Sequence, residues 1–553
     1  MNTRNKTRNK TRNKNSQLIY RSNTSLTSLA SLITLNKQQR VNKKIMPFVL
    51  KAKKKLVILT ITAISFLFLN FIPTAAMAAD AQKQETEHNL KQNFSTVTDT
   101  CQISPIEAAK QVMAPYINDQ KNIKEWRTPE GSRVIFLPTP KTQTVDIHLS
   151  FPGGSASDNF DSGQANKAGL TNLMIKMIFE GGIAAEHAHP AYSAEEWLKR
   201  KNALSASVYG FANRDRISFA LQSIAEKSYL DKAIDLLGDA LQRPAFDPAK
   251  FKQVRTHLQS NLKHTEPKNR LHPRAISALY GNHPYGLRET VDTLAAISIN
   301  DLKLRRQKVL GLDRAIFTII GDLSEEQSKE IIKHLSANLP KKSLVPDIPE
   351  VKQFSTSSQF EIKDNQQQSQ VVIVMPGIKR TSADYSAFML GNEILGGNSL
   401  NSLLMQKMRD KEGLVYGVGT IESSNLQRGV FGIGFVTKMN QQKIATEFAL
   451  AELKKFVENG PTQTELNATR CAMINSHALS MSNISYLISP LSELAFYNLP
   501  LSRAFEWPIV LANLSSENVH EALKKNIDLN HLVIGTLISN NGPEVNLKPP
   551  FID

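Results

Sequence analysis

The period of apolar and polar positions changes repeatedly along the chain, and the changes divide it into elements. From about residue 125, residues 132–137 and 144–151 are β-branched and aromatic runs joined by a Pro/Lys/Thr turn, a strand pair that ends at Phe151-Pro-Gly-Gly-Ser155. Over residues 164–179 the period becomes helical. Leu170, Leu173, Met174, Met177 and Ile178 share one face, and Gly181-Gly182 is the stop. A helix over 194–204, strands over 205–211 and 216–224, and two helices flanking Pro244 follow. Residues 314–322 read as a buried strand and 325–339 as a helix.

Pro340, Pro346 and Pro349 then mark a connector over 340–358, after which the order repeats. Residues 370–375 form an apolar strand, 385–395 and 400–409 helices, and 429–437 a strand. The strand, helix, proline, helix order of 217–262 recurs over 431–479, with Pro461 in the place of Pro244. A period of roughly 200 residues is too long for a solenoid. The expected fold is α+β: two homologous domains, over 121–345 and 346–553, each a mostly antiparallel sheet with helices packed on one face.

Charge changes the picture only at the N-terminus. The sequence holds 67 Lys+Arg against 50 Asp+Glu, but residues 1–78 carry fifteen of the basic side chains and no acidic one, leaving 52 against 50 in the body. A near-neutral body excludes nucleic-acid binding as the fold's main task. Within 1–78, Thr-Arg-Asn-Lys repeats three times before Met46, the expected translation start. Four lysines (Lys51, Lys53, Lys54, Lys55) then precede the uncharged stretch 56–72 and the small-residue exit Ala76-Met77-Ala78. This is the layout of a signal peptide cleaved after Ala78, placing the protein in the periplasm or outside the cell. The uncleaved stretch would instead be a membrane anchor. Residues 79–120 read as a linker. Cys101 and Cys471 are too few for a disulfide framework, and the spacing leaves open whether they pair.

The family resemblance rests on four motifs taken in order: Gly169-Leu-Thr-Asn-Leu-Met-Ile-Lys-Met-Ile-Phe-Glu-Gly-Gly182, His283-Pro-Tyr-Gly286, Ile319-Ile-Gly-Asp322 and Arg409-Asp-Lys-Glu-Gly-Leu-Val-Tyr416. Together they resemble the insulinase/pitrilysin (M16) family of zinc peptidases over residues 125–553. The resemblance implies an inverted His-x-x-Glu-His zinc motif at Asn172, Ile175 and Lys176, a third ligand at Asn261 and an outer Glu at Val254. None of these residue types can hold zinc or move its proton. Asn172, Lys176 and Glu180 otherwise form a solvated stripe in which Lys176 and Glu180 pair. Glu186-His187-Ala-His189 reads as a loop with incidental histidines.

In the second half the resemblance gives Arg409 and Tyr416 as peptide-contacting residues, the Tyr hydroxyl facing the tetrahedral intermediate. From spacing alone, Arg409 would serve the helix C-terminus, which Gly413 caps, and Tyr416 would share a core face with Leu414 and Val418. The implied function is the non-catalytic, substrate-binding subunit of an exported heterodimeric metalloprotease. Such a chain holds no cofactor, and a homologous partner brings His-x-x-Glu-His and the zinc. The alternatives are a peptide-binding or structural scaffold with no part in proteolysis, and a protease active by itself.

Overall fold

The structure, a computed structural model, describes residues 103–540 apart from 141, 161–165, 187–188 and 398–399. The signal-peptide stretch, Met46, the Ala78 exit and Cys101 lie outside the described residues. Two sheets are present. The first contains β1 (Lys124–Arg127), β2 (Arg133–Pro138), β3 (Thr144–Pro152), β4 (Ala206–Ala212), β5 (Arg216–Ile224) and β6 (Ile316–Gly321), in the order β1-β2-β6-β3-β5-β4. The second contains β7 (Ser358–Asp364), β8 (Gln368–Pro376), β9 (Val415–Ser423), β10 (Val430–Lys438) and β11 (Val533–Ser539), in the order β7-β11-β8-β10-β9. In each sheet one pair is parallel, β2 with β6 and β7 with β11, and the remaining pairs are antiparallel. Strand for strand the second sheet repeats the first without β1, so the α+β, two-homologous-domain reading is the fold observed.

The helices needed below are α1 (Pro105–Met113), α2 (Leu170–Glu180), α3 (Pro248–Lys263), α4 (Lys268–Tyr280), α5 (Gln463–Met481), α6 (Ile488–Phe496) and α7 (Arg503–Asn513). Strand periodicity explains how they pack, because alternate residues point to opposite faces. Val134 and Phe136 of β2 enter the first half's own helical core, while Ile135 and Leu137 face α6, which belongs to the second half. Reciprocally, Val371, Ile373 and Met375 of β8 enter the second half's core, and Val372 and Val374 face α4 of the first. Each sheet therefore has its own helices on one face and a single helix lent by the other half on the opposite face. This accounts for strands that are buried on both faces: β2 is apolar from Val134 to Leu137, and β3 buries Asp146, His148 and Ser150 between its apolar residues. Fully burying Leu491 of α6 or Leu279 of α4 is worth about 1.5–3 kcal/mol each.

The linker expected over 79–120 is helical in its described part. Ser104 caps α1 through the Glu107 N–H, and Ala108 and Ala109 pack into the second half's core against α5 and α7. Two small buried alanines in a polar stretch give too weak an apolar stripe to read as an element. Cys471, on α5, is disulfide-bonded, and Cys101 is the only other cysteine in the sequence.

Where the halves meet, Asp215, in the turn between β4 and β5, is 1% exposed. Its carboxylate accepts the Tyr285 hydroxyl at 2.5 Å, the Tyr497 hydroxyl at 3.1 Å and the Leu426 N–H at 2.8 Å. The Gln427 N–H donates in turn to the Tyr285 oxygen at 3.1 Å. Tyr285 belongs to the first half and the other donors to the second, so one carboxylate bolts the two together. Replacing Asp215 by Ala strands these donors in a dry interior and should lower stability by about 3 kcal/mol or more, whereas Tyr497→Phe, which removes one bond, should cost about 1 kcal/mol. Urea unfolding of both variants checks this. Equal, small losses would mean that the bolt is not what joins the halves.

Candidate functional site

Helix α2 starts at Gly169, whose φ of +100° suits glycine. Asp158 caps it, accepting from the Gly169 N–H at 2.8 Å, the Thr171 N–H at 3.1 Å and the Thr171 hydroxyl at 2.5 Å. Arg305 stands 3.9 Å behind this carboxylate. On the helix so fixed, Leu173, Met174, Met177 and Ile178 are buried, as the spacing requires, and Asn172 and Lys176 are exposed.

Ile175 is also buried, packed where β4 passes: a Cβ built on Gly210 would lie 2.8 Å from its side chain. Asn172 donates to the carboxylate of Glu289. The expected Lys176–Glu180 pair does not form; Glu180 instead faces Lys250 on α3 at 3.7 Å, because α3 packs directly against α2. Asn261, exposed near the end of α3, bonds the His257 ring at 3.2 Å, and Val254 is core. The fold thus brings α2 and α3 together as a metal site would need. Yet the side chains at the four positions are two amides, one hydrocarbon and one ammonium, and the set does not fit zinc. No group of three or more His, Cys, Asp or Glu among the described residues could hold a metal ion. Glu186 and His189 close a tight turn by mutual backbone bonds of 3.1 and 2.8 Å, and His187 lies outside the described residues.

In the second half, the expected helix over 400–409 widens into a π-helical turn, Met405–Lys411. It ends with the Leu414 N–H on the Met408 carbonyl at 2.8 Å and Gly413 at φ +61°. Such turns gather at functional sites. Lys407 is taken up by Glu452, whereas Arg409 is exposed. Tyr416 follows on β9, the edge strand of its sheet, and is 50% exposed. It is not the core residue that spacing alone allows, since Val415, its neighbour, takes the buried position. Neither the Arg409 guanidinium nor the Tyr416 hydroxyl bonds to any described residue.

Sequence reasoning missed Glu289 and Arg214. Both line a cavity of about 650 Å³ that Asn172 shares with the ends of α3 and the start of α4. Burial raises the pKa of Glu289, and the Asn172 bond offsets only part of this. The one available signal was the charge-rich Asn213-Arg-Asp-Arg216, in which no spacing marks a site.

Comparison with known proteins agrees with this picture. Residues 133–294 match the family described as Insulinase (Peptidase family M16), and 296–473 the Peptidase M16 inactive domain. The non-peptidase homolog YmxG of Helicobacter pylori is 25% identical over 401 residues, covering 71% of this chain and 88% of its own. A Bacillus subtilis protein described as an uncharacterized zinc protease YmxG is 24% identical over 372 residues, covering 66% and 86%. Among solved structures, the M16 inactive domain from Pseudomonas fluorescens superposes with a TM-score of 0.70 at 25% identity, covering 77% of this chain and all of that one. The periplasmic protease PqqL of Escherichia coli shares the fold at a TM-score of 0.63 and 14% identity, covering 76% of this chain and 46% of PqqL.

Two outcomes follow. Purified protein should carry no stoichiometric zinc by elemental analysis; one zinc per chain that survives dialysis and is lost on mutating a histidine would contradict the donor set. Glu289 should also leave a pH signature. A carboxyl whose folded pKa is raised adds stability below its unfolded value, about 4.3, and that stability is lost as pH rises through the folded value. Wild type should therefore weaken relative to Glu289→Gln between pH 4 and 7, as read from urea midpoints, and parallel curves would exclude the effect.

Proposed function

This chain belongs to the peptidase M16 family as a homologue without the zinc motif, and on that premise we propose that it is the substrate-binding, non-catalytic subunit of an exported heterodimeric metalloprotease. A homologous partner carrying His-x-x-Glu-His supplies the zinc and the water-activating carboxylate. This chain supplies the facing wall of the peptide chamber. The observation that carries the reading is an asymmetry. The four first-half positions offer no ligand set, while Arg409 and Tyr416, one before and one on an edge strand, are exposed and bond to no described residue.

An edge strand offers unpaired N–H and C=O groups to an extended peptide, and side chains beside it set selectivity. On β9, Gly417 has open space where a side chain would stand, which leaves room for a peptide backbone. Arg409 suits a peptide carbonyl or carboxylate. On this reading the Tyr416 hydroxyl donates to the oxyanion that develops at the partner's metal. Export is supported by the leader's layout and by the disulfide at Cys471, a bond that persists in oxidising compartments. No helix among the described residues is long and apolar enough to cross a membrane. The scaffold reading draws on one observation, the description of the Helicobacter pylori relative as a non-peptidase homologue.

Co-purification from the native host with mass spectrometry identifies the partner, and two variants then test the reading in the reconstituted complex. Tyr416→Phe should slow peptide cleavage by roughly 10- to 1,000-fold with little change in peptide affinity, since the lost bond is made mainly in the transition state. Arg409→Lys keeps the charge but loses the planar fork, and should weaken peptide capture. Wild-type turnover in both variants would leave the chain as a scaffold.

A further inference from the structure

The cavity shared by Asn172 and Glu289 is separate from the Arg409 and Tyr416 surface, and neither of those residues lines it. It is bounded by the N-terminus of α2, the end of α3, the start of α4 and residues 287–292, and its volume of about 650 Å³ falls in the range of ligand sites. Four cations line it: Arg214, Lys263, Arg270 and Arg288. Of its three carboxylates, Asp158 is committed to the α2 cap and Asp292 occupies the first turn of the helix Val291–Ala295. Glu289 already accepts from Asn172, and burial disfavours its charged form.

Arg214 is the decisive group. It is half-buried, donates one N–H to the Leu287 carbonyl at 2.7 Å, and makes no ion pair with a described residue. Asp158 and Asp215 act on its charge from a distance without pairing with it, burial still disfavours that charge, and it in turn helps burial depress the nearby His272. A guanidinium held partly out of water against a single carbonyl has lost hydration that the described residues replace only in part. Its remaining donors form a planar fork suited to an oxyanion. Leu262, Pro273 and Leu287 provide an apolar wall beside it, the usual setting for a few convergent polar groups.

We propose that this cavity binds ligands ending in a carboxylate, with Arg214 as the fork and Arg270 and Arg288 as supporting charges. A singly charged carboxylate fits better than a phosphate, because a second negative charge beside Glu289 either repels its anion or forces it further toward the neutral form that burial already favours. The same chemistry comes from a peptide C-terminus or from a small carboxylic acid.

Calorimetric titration of the mature chain in low salt tests the proposal with tetra-alanine, its C-terminal amide, N-acetylalanine and inorganic phosphate. Tetra-alanine should bind at least 10-fold more tightly than its amide. N-acetylalanine binding as well as tetra-alanine assigns the site to small acids, and failing to bind assigns it to peptide ends. Arg288→Glu, at an exposed position safe for folding, and Arg214→Met should each weaken the acid at least 10-fold, with circular dichroism confirming the fold. Glu289→Gln should tighten it severalfold. Equal binding of acid and amide, tighter binding of phosphate than of the acid, or wild-type affinity in both arginine variants overturns the proposal. Arg409→Lys and Tyr416→Phe should leave these titrations unchanged, so failure here is distinguishable from failure of the protease-subunit reading.

Discussion

One buried carboxylate sets how the two halves of this protein meet. Asp215 could not sit where it does without its three side-chain bonds, because an isolated carboxylate in a dry interior costs several kcal/mol. Burial raises its pKa even so, and the Tyr285, Leu426 and Tyr497 donors pull it back. Its backbone is equally engaged, its carbonyl accepting the Gly153 and Gly154 N–H groups at 3.0 Å each. Gly154 has to be glycine here, since a Cβ would fall 2.3 Å from the Asn213 carbonyl oxygen. The end of β3, the β4–β5 turn, the His-Pro-Tyr-Gly turn and the 426–427 segment of the second half therefore converge on one residue.

The exchange of helices depends on that convergence. With α6 on the first sheet and α4 on the second, each half lends part of its apolar surface and receives an equivalent part back. Buried Ser150, Ser218 and Ser492, bonded at 2.9 and 3.2 Å, sit within the first of these contacts. Small mutually bonded hydroxyls let helix and sheet approach closely while leaving few donors unmet. Tyr280, on the lent helix α4, donates to the Arg428 carbonyl at 2.8 Å on the other side. Neither sheet is complete without the other half's helix, so the pair behaves as one structure rather than two beads on a string.

Much of this was legible in the sequence and some was not, for physical reasons. Strand and helix periods are local, and β2, β3, β5, β6, β8 and β10 fall where apolar spacing puts them, while α2 ends as expected but starts at Leu170 rather than 164, because Gly169 at φ +100° breaks the turn before it. The repeat was visible because both copies preserve the order of local periods. Contacts between residues far apart leave no local trace. Nothing around Asp215 announces bonds to residues 285, 426 and 497, and nothing around Arg214 announces a cavity closed by 263, 270 and 288. In α1, two alanines dock where a polar composition reads as a linker. At the two site motifs the residue types alone spoke: Asn, Ile, Lys and Asn exclude a ligand set whatever the fold. The exposure of Arg409 and Tyr416 needed the structure, because the same spacing fits a helix-end charge and a core tyrosine.

The degenerate helix is more than a metal site with its ligands removed. Restoring His at 172 and 176 would break the Asn172–Glu289 bond and leave Glu289, already disfavoured as an anion, with one donor fewer. Restoring Glu at 175 would set a carboxylate where a hydrocarbon now packs against β4 at Gly210, a glycine with no room for even a methyl group to give way. Val254 fills the position of the outer Glu as core. Ile175 and Val254 have roles in packing and Asn172 one in the cavity's hydrogen bonds, so these changes fit their surroundings. A chain that had merely lost its ligands would keep an open polar cleft between α2 and α3. Here the buried positions, Ile175 and Val254, have become core, and of the exposed ones Asn172 lines a different cavity while Asn261 bonds His257 on its own helix.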